Sequence, residues 1–371
     1  MSWTAHHAES EAFASEAHDA LRRRDIERAN ELFACAAQAE AEALSTIGPD
    51  KPRTLGVTAT SAVALWYKAG VLEKAAQLAH QASAMNGMPG FALHDLRELL
   101  QVIWNEQAQK EAGASFVPGQ VVVSVKGGEV VSGGAPLDVI LDKVQIVQSL
   151  FYRTAEFLKD LPLRRHGPPS KELQAQCRPW LFQSVPGSYQ FSVSIQKPAQ
   201  EEMFPADEPA PEVLTETFLS ILRAAGEDPG DTFRALVPKD DYRATFLKMA
   251  RNLAPTGKVV GQIEIHGSGD SKPITLSPGS RKLISDTLRG SIDSSVPGMS
   301  DQESVLVGIL RALNLDRDWL VVFVDGRPQR VVGVGDVVDD LIGPMVNREV
   351  RVRVRPGKRG TIAFVDIEQE E

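Results

Sequence analysis

Cysteine is scarce in this chain of 371 residues, since Cys35 and Cys177 are the only two. They lie far apart in the sequence and lack the spacing of a zinc site, so neither a disulfide framework nor a structural metal is expected. This usage favours a reducing compartment, and we assign no metal and no other cofactor to the chain.

Long apolar runs are lacking as well. No stretch reaches the roughly 18 consecutive apolar residues that a membrane-spanning helix needs. Residues 1–10 also lack the basic and apolar segments of a signal peptide. The sequence therefore predicts a cytoplasmic protein without a membrane partner.

Positive charge is in deficit, because 40 Lys and Arg face 49 Asp and Glu, which gives a formal net charge of −9. This balance argues against a protein made mainly to coat nucleic acid. The hydrophobic fraction of 43% and the charged fraction of 24% are those of a globular protein. The length predicts two or three domains, and composition places them at residues 1–112, 113–270 and 271–371.

Residues 1–112 are rich in alanine and carry the most specific pattern in the chain. Apolar or small side chains recur every three or four positions, which is the period of an amphipathic helix. Gly48-Pro49 and Gly87 to Gly90 interrupt this period, because proline cannot continue a helix and glycine frees a turn. The pattern predicts two helical hairpins and a further helix over residues 91–104.

Ala29 and Ala75 follow the turns of the two hairpins, 46 residues apart. The pattern resembles the tetratricopeptide repeat, a family in which a small residue at this place lets the paired helices pack closely. The spacing departs from the 34-residue period of that family, so the pattern is repeat-like and not a regular tetratricopeptide repeat. The resemblance covers under a third of the chain and implies a concave surface that binds a protein or peptide.

Five side chains of this region are candidates for contact with such a partner. The aromatic pair Trp66 and Tyr67 either lines a groove or fills the seam between helices. The cluster Arg22, Arg23 and Arg24 either meets an acidic partner or forms a solvated turn. In the competing interpretation, the whole region is a helical bundle that only packs on the following domain.

The middle region, residues 113–270, mixes strand and helix patterns and predicts an α+β layer of undetermined strand order. Residues 113–119 have the composition of a linker, and the acidic, proline-rich residues 200–211 that of an exposed loop. Alternation with a period of two predicts that residues 187–195 form a half-buried strand. The predicted strands are 120–125, 187–195 and 259–266, and the predicted helices are 137–158, 212–225 and 240–253.

One cluster of the middle region suggests chemistry, namely Arg164, Arg165 and His166 with Cys177 and Arg178. A thiol beside cations has a lowered pKa and can act as a nucleophile. However, the sequence places no carboxylate to orient His166. The alternatives are binding of an anionic ligand through Arg164, Arg165 and Arg178, and a solvated loop, which we favour.

The C-terminal region, residues 271–371, predicts a hinge helix and a small five-stranded barrel. Asp325-Gly326 is a strong hairpin signal between the second and third strands. A helix between the third and fourth strands is the order of an OB-like barrel, and an SH3-like barrel is the alternative. The predicted strands are 305–313, 319–324, 329–334, 348–355 and 361–367, and the predicted helices are 281–288 and 335–342.

Alternation along the fourth strand of this barrel sets Arg351, Arg353 and Arg355 on its outer side. Such an arginine ladder, extended by Lys358 and Arg359, suits a nucleic-acid backbone, but single-strand binding normally adds aromatic stacking platforms. The region contains more acids than bases and few aromatics, of which Trp319, Phe323 and Phe364 have no assigned direction. We therefore favour a structural or protein-docking barrel over a nucleic-acid-binding one.

The sequence as a whole predicts an α+β multidomain protein: a helical repeat-like domain, an α+β domain and an OB-like or SH3-like barrel. We predict a non-enzymatic, cytoplasmic adaptor or regulatory protein of bacterial type that binds a protein partner through its N-terminal helices. One alternative is a nucleic-acid-associated protein that uses the barrel. A second is an enzyme that uses the Arg164–Cys177 region. The oligomeric state stays open.

Overall fold

The computed structural model describes residues 2–112, 116, 121–131, 134–182, 189–196, 211–267, 272–293, 303–335, 337–357 and 360–370. Among these residues, contacts divide the chain into two compact units, residues 2–112 and residues 116–370. The division at residue 270 stays a prediction, since contacts join its two sides into the second unit. The exposed loop predicted at 200–211 lies almost wholly outside the described residues, as do Lys358, Arg359 and most of the linker.

The first unit consists of five consecutive helices joined by short connections. The last of them is longer than the predicted 91–104. Its apolar positions run to Ile103, and the polar segment that follows stays helical to Glu111. The helices are α1 Trp3–Arg22, α2 Ile26–Ser45, α3 Pro52–Lys68, α4 Leu72–Ser83 and α5 Gly90–Glu111.

The α1–α2 and α3–α4 turns are built in the same way, 46 residues apart. Arg24 and Gly70 both adopt the left-handed conformation, with φ of 62° and 74°. In each turn the next backbone N–H donates back to a helix carbonyl, that of Ala20 at 3.0 Å and that of Trp66 at 3.1 Å. This is the Schellman arrangement that ends a helix. The repeat-like arrangement is therefore present in the backbone.

Small side chains set the distance between these helices. Ala29 and Ala75, in the first turns of α2 and α4, are both fully buried. Because an alanine side chain is a single methyl group, neighbouring helices can approach closely where they cross. Such a crossing tolerates little additional side-chain volume. The buried alanines of this core are Ala17, Ala20, Ala29, Ala36, Ala37, Ala59, Ala69, Ala75, Ala79 and Ala82.

The second unit contains a five-stranded sheet in the order β2-β3-β1-β4-β5. Every neighbouring pair in it is antiparallel. The predicted alternation holds in β4, but in β3 Ser192 and Ser194 are as buried as their apolar neighbours, so the half-buried prediction for that strand was wrong. The strands are β1 Val121–Lys126, β2 Pro179–Phe182, β3 Tyr189–Ile195, β4 Gln262–Gly267 and β5 Ile274–Leu276.

Six helices accompany this sheet, and one apolar core runs from them into the C-terminal barrel. Phe151 of the long helix stacks on Phe218 with ring centroids 4.0 Å apart, and both rings are buried in this core. The helices are α6 Leu137–Leu158, α7 Lys171–Gln176, α8 Pro211–Glu227, α9 Asp231–Leu236, α10 Asp240–Leu253 and α11 Pro278–Asp293.

The last five strands form a closed barrel in the order β10-β8-β7-β6-β9. The third and fifth strands of the barrel, β8 and β10, pair in parallel, as in the OB-like alternative and unlike a simple meander. The third strand begins two residues earlier than predicted, and the helix after it is shorter. The elements are β6 Ser304–Asn314, β7 Trp319–Val324, β8 Arg327–Val332, α12 Asp339–Ile342, β9 Glu349–Pro356 and β10 Ile362–Gln369.

Two local features let the barrel close. Asp325 and Gly326 both have positive φ, 48° and 75°, as a two-residue type I′ hairpin turn requires. At Gly308, a Cβ atom would lie 2.1 Å from the carbonyl oxygen of Phe323. Only glycine allows β6 to approach β7 this closely. The hairpin prediction and the predicted fold class are confirmed.

Buried ion pairs connect the helices of this unit to its barrel. Arg251 on α10 is 1% exposed and meets Asp366 on β10 at 2.5 Å. Arg153 on α6 is fully buried and donates to Asp340 on α12 at 2.8 Å. Because an unpaired charge is costly in such surroundings, each pair fixes the barrel against the helical layer.

Candidate partner-binding surface

The first two turns of α1, α3 and α5 lie side by side at one end of the helical unit. Trp3 on α1 donates its indole N–H to the hydroxyl of Thr58 on α3 at 3.1 Å. On the other side of α3, a Cβ atom at Gly56 would lie 2.7–3.0 Å from Pro89, Ala92 and the ring of Phe91. The missing side chain at Gly56 therefore lets the start of α5 pack directly on α3.

Val57 lies between these two contacts, and its side chain faces solvent. Successive residues of a helix are about 100° apart, so with residues 56 and 58 turned to the neighbouring helices, Val57 cannot face either of them. Val57 is 52% exposed and Phe91 is 47% exposed, while Trp3 is half-buried and stacks on His7. We call Trp3, Val57 and Phe91 the first-turn surface.

The arginines predicted to contact a partner lie elsewhere. Arg22, Arg23 and Arg24 are exposed at the opposite end of α1, about 30 Å along the helix axis from Trp3. Arg22 forms a surface ion pair with Asp19 at 3.4 Å. They occupy a solvated turn and take no part in the first-turn surface.

The predicted groove aromatics fill the seam between helices. Trp66 is 6% exposed, and the Nζ atom of Lys74 lies 4.4 Å from its ring centroid. Tyr67 packs on the same core, and burial, together with the carboxylate of Glu106, raises its pKa to about 12. The alternative of a filled seam therefore describes both residues. The sequence signal that was missed is Val57, an apolar residue one position from the buried stripe.

In the Arg164–Arg178 cluster, Arg164 already has carboxylate partners within the protein. Arg164 binds the carboxylates of Glu156 at 2.7 Å and Asp340 at 2.9 Å. Burial alone would lower the pKa of Arg164, but these carboxylates more than offset it, and the net shift is upward. Arg165 and Arg178 are exposed. Arg164 is thus already neutralised by protein groups.

Cys177 lies in surroundings that disfavour its thiolate form. Its side chain is buried and donates to the carbonyl of Leu173 at 3.1 Å. Burial raises the pKa of Cys177 to about 12, and Lys159 offsets this only in part. The sequence-based interpretation of a lowered pKa was wrong in direction, because desolvation outweighs the nearby cations.

The arginine ladder on β9 has the predicted direction but is mostly neutralised. Val350, Val352 and Val354 are buried inside the barrel. Arg351 binds Glu370 at 3.1 Å, and Arg353 binds Asp366 at 3.2 Å and Glu303 at 3.7 Å. Arg355 is half-buried and has no ion pair within the described residues.

A cleft of about 240 Å³ lies between the start of α6 and the barrel, and several of its charged groups have partners within the protein. Arg348 lies 3.7 Å from Asp142, and Lys143 donates to the carbonyl of Asn252 at 3.1 Å. Within the described part of the chain, no group of three or more His, Cys, Asp and Glu side chains is placed to hold a metal. The same residues include no helix with the length and apolar character that crossing a bilayer requires.

No family model, no curated protein and no solved structure matches this chain. In the described helical unit, the first-turn surface brings together two exposed large apolar side chains from neighbouring helices, Val57 and Phe91, with the half-buried Trp3 on the other side of α3.

Proposed function

We propose that this chain is a non-enzymatic adaptor or regulatory protein that binds a protein partner through the first-turn surface. The observation that carries the proposal is the exposure of Val57 and Phe91, about half of each side chain, on helices held together through Gly56. Burying such side chains against a partner is favourable by about 25 cal/mol per Å² of apolar area. Large aromatic anchors are also the residues that dominate protein interfaces.

The repeat-like backbone supports this role because it holds the surface rigidly. The helices are fixed by identical turns and by close alanine contacts, so little conformational entropy is lost when the surface is covered. The partner expected from this chemistry presents an apolar segment, such as one face of an amphipathic helix.

The test is a crosslinking experiment with a matched control. The full chain carries a photoreactive phenylalanine analogue at position 91 or at position 26, since Ile26 is an exposed apolar residue of similar exposure, 55%. We expect one protein to crosslink from position 91 only. The purified partner should then bind the wild-type chain in solution and bind the double variant Val57→Glu, Phe91→Glu at least tenfold more weakly.

Ile26→Glu should leave that affinity unchanged, because it makes the same chemical change on another exposed apolar side chain. Equal loss of affinity in the control and the double variant, with both folded, would assign the binding to general apolar character instead of this surface. Crosslinking from position 26 alone would contradict the proposal.

A further inference from the structure

The outer side of the barrel carries an apolar strip where a solvated barrel would carry polar groups. Outward positions of β6 hold Val305, Val307 and Ile309, which are 50%, 40% and 36% exposed. Ile309 is paired across the sheet with Phe323 on β7, which is 38% exposed. Their inward neighbours Leu310 and Val322 are fully buried, so the strip is a true outer face.

Aromatic and guanidinium groups continue this strip across β7 and β8. Trp319, Val321 and Phe323 are the outward positions of β7. The guanidinium carbon of Arg330 on β8 lies 5.0 Å from the ring centroid of Trp319. The outer face of β6, β7 and β8 thus presents two planar groups to solvent, the ring of Phe323 and the guanidinium of Arg330 on the half-buried Trp319. We call Val305, Val307, Ile309, Phe323, Trp319 and Arg330 the outer barrel face.

Cations without carboxylate partners lie around this face, in contrast to the ladder on β9. Within the described residues, Arg311, Arg317 and Arg330 are exposed and form no ion pair, although Arg311 donates to the side-chain oxygen of Asn347. The acids near the face are at strand ends: Glu303 just before β6, Asp316 and Asp318 in the β6–β7 turn, Asp325 in the β7–β8 turn, and Glu349 opposite Ile309.

We propose that the outer barrel face binds single-stranded nucleic acid, with bases on Phe323 and the Trp319–Arg330 stack and phosphates on the unpaired arginines. Aromatic rings and guanidinium planes both accept stacked bases, and arginines track the phosphates. This surface lies in the second unit, so it is independent of the first-turn surface and goes beyond the adaptor function.

The shape of the barrel disfavours a peptide as the occupant. On this face, β6 and β7 are each paired with a strand on both sides, so an extended peptide cannot add to them through main-chain hydrogen bonds. The outer wall of a closed barrel is also convex, whereas an amphipathic helix needs a groove. Bases that stack one by one on flat side chains need neither an edge nor a groove.

The test measures binding of fluorescent 20-nucleotide poly(dT) and poly(rU) to the full chain by anisotropy in 20 to 200 mM NaCl. We expect binding at low salt, with a log–log slope of about −1.4 to −2.1 for two or three phosphate contacts. Phe323→Ala should weaken binding by about 5-fold to 100-fold through lost stacking. Arg330→Glu should weaken binding and make the salt slope shallower.

Arg234→Glu is the matched control, because Arg234 is an exposed arginine on α9 with the same change of charge. It should bind within twofold of wild type. Absence of binding at 20 mM NaCl would overturn the proposal, as would equal weakening in Arg234→Glu and Arg330→Glu. So would self-association of the wild-type chain in sedimentation that Val307→Lys abolishes, since the face would then be an interface between copies. Circular dichroism establishes that each variant is folded.

Discussion

The two units of this chain are stabilised in different ways. The helical unit is packed through small side chains, and Ala29 and Ala75 mark its closest helix approaches. The second unit has larger apolar residues and fully buried cations, Arg153 and Arg251, each held by carboxylates on another element. The first arrangement depends on the absence of side-chain volume, and the second on the presence of a partner for every buried charge. The two units should therefore fail under opposite kinds of substitution.

This difference also separates the two proposed surfaces. In the helical unit, a missing side chain at Gly56 brings two helices together and leaves Val57 and Phe91 open. In the barrel, ion pairs neutralise Arg351 and Arg353 of β9, so within the described residues the cations without an ion pair are Arg355 and those on the other side of the apolar strip. If no ligand covers these exposed apolar groups, they result only from the way each interior is packed. The binding experiments decide this for both units.

The largest expected effect is in the second unit, for Arg251→Ala. Removing this cation leaves Asp366 buried with only weaker partners, and breaking a buried pair costs about 3–5 kcal/mol. Chemical unfolding followed by hydrogen exchange should place the loss in residues 116–370. The matched control is Arg351→Ala, which removes an ion pair with Glu370 in which 44% of the arginine side chain is exposed. This substitution should cost less than about 1 kcal/mol of stability. Equal costs for the two variants would contradict the contrast between buried and surface pairs.

The same pair predicts loss of stability in acid. Burial alone would raise the pKa of Asp366, but Arg251, with Lys248 and Arg353, more than offsets it and holds the pKa below its usual value. A pKa lower in the folded than in the unfolded state stabilises the fold above the unfolded value of about 3.9. That stability is lost as the pH falls through the folded pKa. The free energy of unfolding should decrease from pH 5 to pH 3, and Asp366→Asn should flatten that decrease.

Local chemistry explains which parts of this fold were predictable. The helix at residues 137–158 follows from a continuous apolar period, and its predicted limits are the observed ones. The hairpin at Asp325-Gly326 follows from two residues that tolerate positive φ. Both signals are contained in neighbouring residues, so no knowledge of the distant chain is needed.

Long-range pairing explains what was missed. The edge strands β2 and β5 are three or four residues long and are defined by their partners, not by a period of their own. Nothing near Arg251 in the sequence indicates that Asp366 will neutralise it. The first-turn surface was missed for the same reason, because Trp3, Val57 and Phe91 are brought together only by packing between three helices. The directions of Trp319 and Phe323 needed the register of the barrel.

A smaller effect is expected in the helical unit, for Ala75→Leu. Ala75 is fully buried at a close approach, and added methylenes force side chains and backbone to shift, at about 1–3 kcal/mol. Ala29→Leu is the equivalent change in the first hairpin and should cost a similar amount. Hydrogen exchange should place both losses in residues 2–112. A wild-type midpoint of unfolding for either variant would mean that its crossing has room, and the contrast with the second unit would weaken.

The smallest effects concern the two equivalent turns, and they should have opposite signs. Arg24 holds a left-handed conformation that costs a residue with a side chain about 1–2 kcal/mol, while glycine adopts it freely. Arg24→Gly should therefore stabilise the helical unit by up to about 1 kcal/mol, after allowance for the greater freedom of glycine in the unfolded chain. Gly70→Ala should destabilise it by about 1 kcal/mol, and the cause is conformational, because no atom lies within 4 Å of the added Cβ position. The measurement is the midpoint of chemical unfolding of the full chain, with hydrogen exchange of the two turns. Destabilisation by both substitutions would show that the Arg24 side chain makes a contact that outweighs its strain, and that the two turns are equivalent in backbone only.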